Sequence, residues 1–252
     1  MIGTPRVHHR SCDSTNARGR ELAAGGAPHG TLVTADEQAD GRGRQGRSWT
    51  APARTALLMS LVLRDLGPAR ELLPLVAAVA VCEACEEAAP PVRCRIKWPN
   101  DVWIDGRKVA GILIEGRPAE GWTVLGIGLN VSTGAGDFPP ELSATATSLR
   151  LAGDGSQIAT EAMLRSVLDR LYERLDQPPA EVLTRWRERD ALHGLVVRWN
   201  GGDGVAAGID DSGALLVDAE GGCLRLDAGE VHLRTAGAPA TQEAPGAPQR
   251  LE

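Results

Sequence analysis

The rhythm of the chain changes at Asp190, and that change restricts the possible folds more than any compositional figure does. Before it, continuous apolar segments alternate with segments whose apolar residues recur every three or four positions, the marks of strands and helices. After it the helical spacing stops. Short β-prone pieces at 195–199, 205–209, 214–217, 223–226 and 231–234 are separated by Gly-Gly, Asp-Gly and Ser-Gly turns. The pattern predicts a large α+β domain over residues 1–190 and a small β-barrel over 191–235. Residues 236–252, rich in Ala, Pro, Gly and Gln, read as a disordered tail.

Within the first part, Asp13 or Ser14 is placed to cap a helix running to about Ala24, where Gly25 and Gly26 stop it, and a strand should precede it. Residues 31–37 read as a strand, 41–48 as a loop and 56–63 as a buried strand. Leu72, Leu75, Val76 and Val79 predict an amphipathic helix over 71–88, ended by Pro90 and Pro91 and laid against that sheet. Three strands follow at 92–97, 109–115 and 122–130, with a turn near Asp105 and Gly106. Leu164, Val167, Leu168, Leu171 and Leu175 mark a further helix, and 180–190 a shorter one. Strands separated by so few helices predict a mixed sheet with helices on one side.

The formal net charge of −6 excludes a protein whose main task is to coat nucleic acid, so any basic site must be local. Five scattered cysteines make a poor disulfide framework and read as reduced thiols. Cys82 and Cys85 form a C-x-x-C pair, but it lies in a helical pattern with no second pair at zinc spacing, which favours helix packing. The first residues lack the apolar stretch of a signal peptide, and no run of eighteen apolar residues occurs. A cytoplasmic protein away from membranes is expected.

The loop Gly41-Arg42-Gly43-Arg44-Gln45-Gly46-Arg47 holds three arginines and three glycines without an acid. Such a segment cannot be core. Glycine lets backbone approach an anion, and guanidinium forks match phosphate and carboxylate oxygens, so the loop reads as an anion clamp, or else as a solvated surface loop. Gly41, Gly43 and Gly46 also spell G-x-G-x-x-G, but Trp49 to Pro52 and another strand follow where a dinucleotide fold needs a helix. A second cluster, Lys97-Trp98-Pro99-Asn100-Asp101, precedes Gly106-Arg107-Lys108-Val109-Ala110-Gly111-Ile112-Leu113-Ile114-Glu115. Lys108 opens an apolar strand, where it either meets an acyl or phosphoryl oxygen or snorkels outward. A third element, Gly126-Ile127-Gly128-Leu129-Asn130, offers small residues at a strand end, where a flat ligand can lie close to the backbone.

With Asp13-Ser14-Thr15-Asn16, the 38–49 loop, and the 97–101, 106–115 and 126–130 elements in this order, the chain resembles the biotin-protein ligases. The likeness extends more weakly to about Arg234. It implies an α+β fold with a mixed sheet and helices, as in the catalytic domain shared with class II aminoacyl-tRNA synthetases, followed by a small SH3-like β-barrel. It also implies ATP-dependent conversion of biotin to biotinyl-5'-AMP, with Mg2+, and transfer of the biotinyl group to a lysine of a biotin carboxyl carrier protein. By position, Ser14, Thr15 and Gln38 match residues that bond the ureido ring, and Gly41, Leu113 and Gly126 line the biotin slot. Arg42, Arg44 and Arg47 match the loop that holds carboxylate and phosphates, and Lys108 matches the lysine at the reacting carboxylate. Catalysis thus falls to Lys108, Arg42 and Arg44, while Arg44, Arg47, Trp49, Asn100 and Asn130 surround the adenylate. Asp101 is matched to holding Lys108 or a magnesium ion. Asp40 departs from the small neutral residue common there.

Only twelve residues precede Asp13, so the winged helix-turn-helix of regulatory members, and DNA binding with it, is not expected. A monomer or weak homodimer is. No histidine (His8, His9, His29, His193, His232) falls in a motif, and all read as surface residues. The rivals are a lipoyl or octanoyl transferase of the same fold and a nucleic-acid-binding regulator. The clamp loop, glycine-rich and self-repelling, is expected to lack order until an anion gathers its arginines.

Overall fold

The computed structural model describes residues 2–66, 71–227, 229 and 231–233. The tail at 236–252 and Arg234 lie outside the described residues. The elements run β1 (Arg6–Cys12), α1 (Thr15–Ala24), β2 (Leu32–Gln38), β3 (Ala56–Arg64), α2 (Leu73–Ala88), β4 (Cys94–Lys97), β5 (Asp101–Ile104), β6 (Arg107–Arg117) and β7 (Trp122–Asn130). Then follow α3 (Leu149–Ala152), α4 (Thr160–Leu175), α5 (Pro179–Arg187), β8 (Val196–Trp199), β9 (Gly202–Ile209), β10 (Leu215–Ala219), β11 (Gly222–Leu226) and β12 (His232–Leu233).

The first seven strands form one mixed sheet in the order β1-β2-β3-β7-β6-β5-β4, in which β1 and β2 are parallel and the other pairs antiparallel. From Ala56 to Leu63 β3 is an unbroken apolar run except for Ser60, because it is covered on both faces. Leu57, Met59, Leu61 and Leu63 belong to the main core with α2, whereas Val62 packs with Ala23, Trp122 and Val124 on the α1 face. Helices therefore lie on both sides, not one: α1 returns the chain from β1 to the parallel β2 across the opposite face from α2. A parallel neighbour demands such a crossover.

The helix expected as amphipathic, α2, is apolar nearly all round. One side meets the sheet and the other meets α4 and α5. Its few acids are consumed there: Glu83 pairs with Arg174 at 2.7 Å, where both side chains are almost wholly buried, and Glu86 pairs with Arg189 at 3.0 Å. Cys82 and Cys85 are buried in this helix.

After α5 the chain forms a five-stranded antiparallel sheet, β11-β10-β9-β8-β12. Every β-prone piece read after Asp190 becomes a strand of it. The sheet leans on the first unit. Val197, Ala206, Leu215 and Val217 join the main core, and Trp98 Nε1 donates to the Gly213 carbonyl at 3.0 Å. The one strand not foreseen is β5, four residues hidden between the Trp98-Pro99 corner and the Asp105-Gly106 turn.

Candidate active site

The α1 face of the large sheet carries a cavity of about 540 Å3. Its floor comes from alternation. On β7, Leu125, Ile127 and Leu129 point into the core, so Gly126, Gly128 and Asn130 face the cavity. Register places Ser60 of β3 and Leu113 of β6 beside Gly126, and Gly111 of β6 beside Gly128. The glycines leave room for particular neighbours. A Cβ on Gly126 would lie 2.1 Å from Asn16 Oδ1, and one on Gly128 would lie 2.6 Å from the Trp49 ring. The flat group against this backbone is thus the indole of Trp49.

The polar end joins β2 to the start of α1. Gln38 Oε1 accepts from the Thr15 backbone N–H at 2.7 Å and from its hydroxyl at 3.0 Å. Ser14, at the N-cap of α1, is buried and its side chain makes no capping bond. Ser60, fully buried, lies 2.8 Å from Thr15 Oγ1 and donates to Asn16 Oδ1 at 2.6 Å. Asn16 in turn donates to Glu115 at 2.9 Å, and Glu115 also pairs with Arg20.

Lys108 reaches the cavity through a β-bulge. Val102 opposes Ala110 and Trp103 opposes Lys108, so Val109 is the extra residue on β6. Strict alternation from Gly111 would send Lys108 into the core face. The bulge buries Val109 instead and returns Lys108 to the side of Gly111 and Asp101. Its ammonium lies 2.6 Å from Asp101 Oδ1, with 33% and 14% of the two side chains exposed, and 5.6 Å from the Trp49 ring centre. The backbone is held as firmly, since Lys108 N–H donates to the Thr145 carbonyl at 2.7 Å and its own carbonyl accepts from Thr147 at 2.8 Å. This lysine does not snorkel.

The arginine loop closes on itself. Arg42 and Ser48 form an antiparallel bridge, Gly43 N–H donates to the Arg47 carbonyl at 2.7 Å, and Trp49 N–H donates to the Gly41 carbonyl at 2.8 Å. Gln45 and Gly46 make the turn in the left-handed region, at φ 55° and 74°. The expectation of a loop without internal order is therefore not met, because backbone bonds offset the repulsion between guanidiniums. Arg44 turns inward and donates to Asn100 Oδ1 at 3.3 Å, with burial lowering its pKa. Arg42 turns outward to Asp40 at 3.0 Å. Gly41 lines an adjoining cavity with Arg42, Leu113 and Glu115, and is buried beneath the Trp49 carbonyl, which a Cβ there would overlap.

Ser14, Thr15, Gln38, Arg42, Arg44, Arg47, Trp49, Asn100, Asp101, Lys108, Leu113, Gly126 and Asn130 all line the cavity. Two buried polar atoms on its wall, Trp49 Nε1 and Asn130 Oδ1, have no hydrogen-bond partner among the described residues. Such atoms are costly unless a ligand or water meets them. Sequence reasoning assigned no individual role to Ser60, Lys97, Trp103 or Gly111. Lys97 lies over the Trp103 ring at 5.5 Å, and burial lowers its pKa. Ser60 had a usable cue, a lone hydroxyl in an apolar strand. Leu233 of the second sheet lies at the same cavity, and His232 beside it is held below the usual histidine range, first by partial burial and then by Lys97 and Arg47.

Comparison with known proteins gives the same order of elements. Residues 9–132 match the Biotin/lipoate A/B protein ligase family, and 200–234 match the Biotin protein ligase C terminal domain. The biotin--[acetyl-CoA-carboxylase] ligase of Mycobacterium tuberculosis is 38% identical over 237 residues, 88% of this chain and 86% of the relative. The bifunctional ligase/repressor BirA of Bacillus subtilis is 35% identical over 92% of this chain and 75% of its own length. Among solved structures, the biotin protein ligase from Aquifex aeolicus in complex with biotin and ATP superposes with a TM-score of 0.79 at 29% identity, covering 92% of this chain and all of that one. A shared fold, a matching C-terminal unit and identity above one third along nearly the whole chain lead to one conclusion: this chain belongs to the biotin protein ligase family.

Proposed function

We propose that the chain activates biotin with ATP and transfers the biotinyl group to a lysine of a biotin carboxyl carrier protein or domain. The observation that carries this reading is convergence. Motifs more than a hundred residues apart supply one cavity with a hydrogen-bonding end, a cationic middle and two unsatisfied buried polar atoms. Thr15 and Gln38, with Ser14, take the ureido ring at the polar end, while Leu113 and Gly126 line the slot for the acid's apolar body. Gly41 acts from behind, by letting the Trp49 strand approach. Arg44, Arg47 and Lys108 meet the carboxylate and the α-phosphate, with Arg42 at the rim. Trp49, Asn100 and Asn130 surround the nucleotide.

A carboxylate oxygen of biotin attacks the α-phosphorus of ATP, and the bond to the β-phosphate oxygen breaks to release pyrophosphate. The cations oppose charge gathering on the phosphate oxygens in the transition state. In the second step the acceptor amine attacks the biotinyl carbonyl carbon, the bond to AMP breaks, and the amine loses a proton. Lys108, held by Asp101, donates to the acyl oxygen in both steps. Asp101, the carboxylate lining the cavity, would hold a magnesium ion, which would supply charge neutralisation at the phosphates.

The same reading takes residues 1–190 as the catalytic unit and 191–235 as a small unit closing its mouth. It has the protein act in the cytoplasm on a protein acceptor, without DNA, as a monomer or weak homodimer. The net charge of −6 supports the absence of a nucleic-acid role. Incubation with biotin, ATP, magnesium and a biotin-carrier domain, followed by mass measurement of the carrier, should show one added biotinyl group. A carrier that gains lipoyl but never biotinyl would overturn the reading.

A further inference from the structure

Ser60 is the only polar residue within the apolar run of β3, it is fully exposed to other protein atoms and not at all to solvent, and no motif includes it. A buried hydroxyl is costly unless bonded, and alanine would fill the site at no such cost. Its two partners, Asn16 and Thr15, are the first residues of α1, and Thr15 is at the polar end of the cavity. Accepting the ligase reading above, we infer that Glu115, Asn16 and Ser60 are positioning residues that set which end of the ureido group each wall of the pocket can take.

The argument is one of proton direction. The Glu115 carboxylate, paired with Arg20 at 3.0 Å, accepts from Asn16 at 2.9 Å, so the Asn16 amide turns its NH2 toward it. That turn presents Asn16 Oδ1 to Ser60, whose hydroxyl donates to it at 2.6 Å and toward Thr15 Oγ1 at 2.8 Å. Thr15 Oγ1, facing a donor on the Ser60 side, sends its own proton to Gln38 Oε1 at 3.0 Å. With its proton drawn into the wall, Thr15 presents a lone pair to the cavity. Gln38 is polarised the other way. Its Oε1 receives the Thr15 backbone N–H at 2.7 Å, so the NH2 end is the one with hydrogens to give. The wall therefore offers one acceptor and one donor side by side, complementary to the adjacent N–H and C=O of a cyclic urea. Gly126 belongs to the same device, since any Cβ there would displace Asn16.

The test uses the full chain and calorimetry with biotin and ATP separately. Ser60→Ala should weaken biotin about tenfold and leave ATP within about twofold, because one hydrogen bond's orientation is lost at one end of the site. Ser60→Cys, which keeps a weak donor of similar size, should fall between. In a Thr15→Val background Ser60→Ala should add less than twofold, since the relay acts through the Thr15 hydroxyl. Equal weakening of both ligands, unchanged biotin binding, or a full additional loss in the Thr15→Val background each overturns the relay. If Ser60→Ala fails to fold, the Ser60→Cys and Thr15→Val comparison decides by the same criteria. Failure of the wild-type chain to bind biotin would overturn the ligase reading itself, and the relay with it.

Discussion

The two faces of the large sheet are built from the same strands and do opposite work. On β7, Leu125, Ile127 and Leu129 join the main apolar core and bring stability, while Gly126, Gly128 and Asn130, one residue away each time, contribute almost no apolar burial. β3 repeats the contrast, with Met59 and Leu61 on one side and Ser60 between them on the other. A strand's period of two lets neighbouring residues answer to unrelated demands. The core face tolerates any well-packed apolar set, whereas the cavity face depends on which atoms are missing or left unbonded.

The sharpest way to break this comparison is to cross it. Leu125→Ala, on the core face, should cost about 2–5 kcal/mol of folding stability in a denaturant titration, with biotin affinity unchanged below the transition. A loss of affinity at full folding would show that the faces are not separable. Lys108→Ala should do the reverse: melting stays close to wild type, while pyrophosphate release slows on the order of a hundredfold or more. Wild-type rates would remove Lys108 from the chemistry. The smallest effect is expected at the rim, where Asp40 holds Arg42 in an exposed pair. Asp40→Ala frees that guanidinium, so a non-hydrolysable biotinyl-adenylate analogue should bind less than about fivefold tighter. Weaker binding would mean that Asp40 organises the loop instead of competing with the ligand.

The sequence carried most of the elements, because long apolar periodicities and glycine or proline breaks are local signals. The bounds of β3 and β7, and the presence of α4 and of the strands after Asp190, needed no tertiary information. Local reading failed where the third dimension decides. The helix on the second face, α1, looked like any short capped helix, since nothing in residues 15–24 says which side of a sheet it will cover. The full burial of α2 depends on α4 and α5, some eighty residues later. Motif residues such as Arg44 and Asn130 were legible as chemistry, but Ser60 and Glu115 act through partners that pairing register alone brings together. The arginine loop was misjudged for a related reason: charge counting saw repulsion, and the backbone bonds from Gly43 to Arg47 and Trp49 to Gly41 were invisible to it.

The extra residue at Val109 works as a phase shifter for β6. Upstream and downstream of it the strand obeys opposite parity, so Lys108 and Gly111, three apart, share a face that only even spacing would otherwise allow. Giving Val109 a partner, by one residue inserted between Val102 and Trp103, would be a reading-frame error in three dimensions. Everything from Ala110 onward would keep its place, while the ammonium at position 108 would swing toward the greasy layer on the core face and leave Asp101 without its counter-ion. Any attempt to graft this site with its native Lys108-to-Gly111 spacing has to transplant the irregularity along with the lysine.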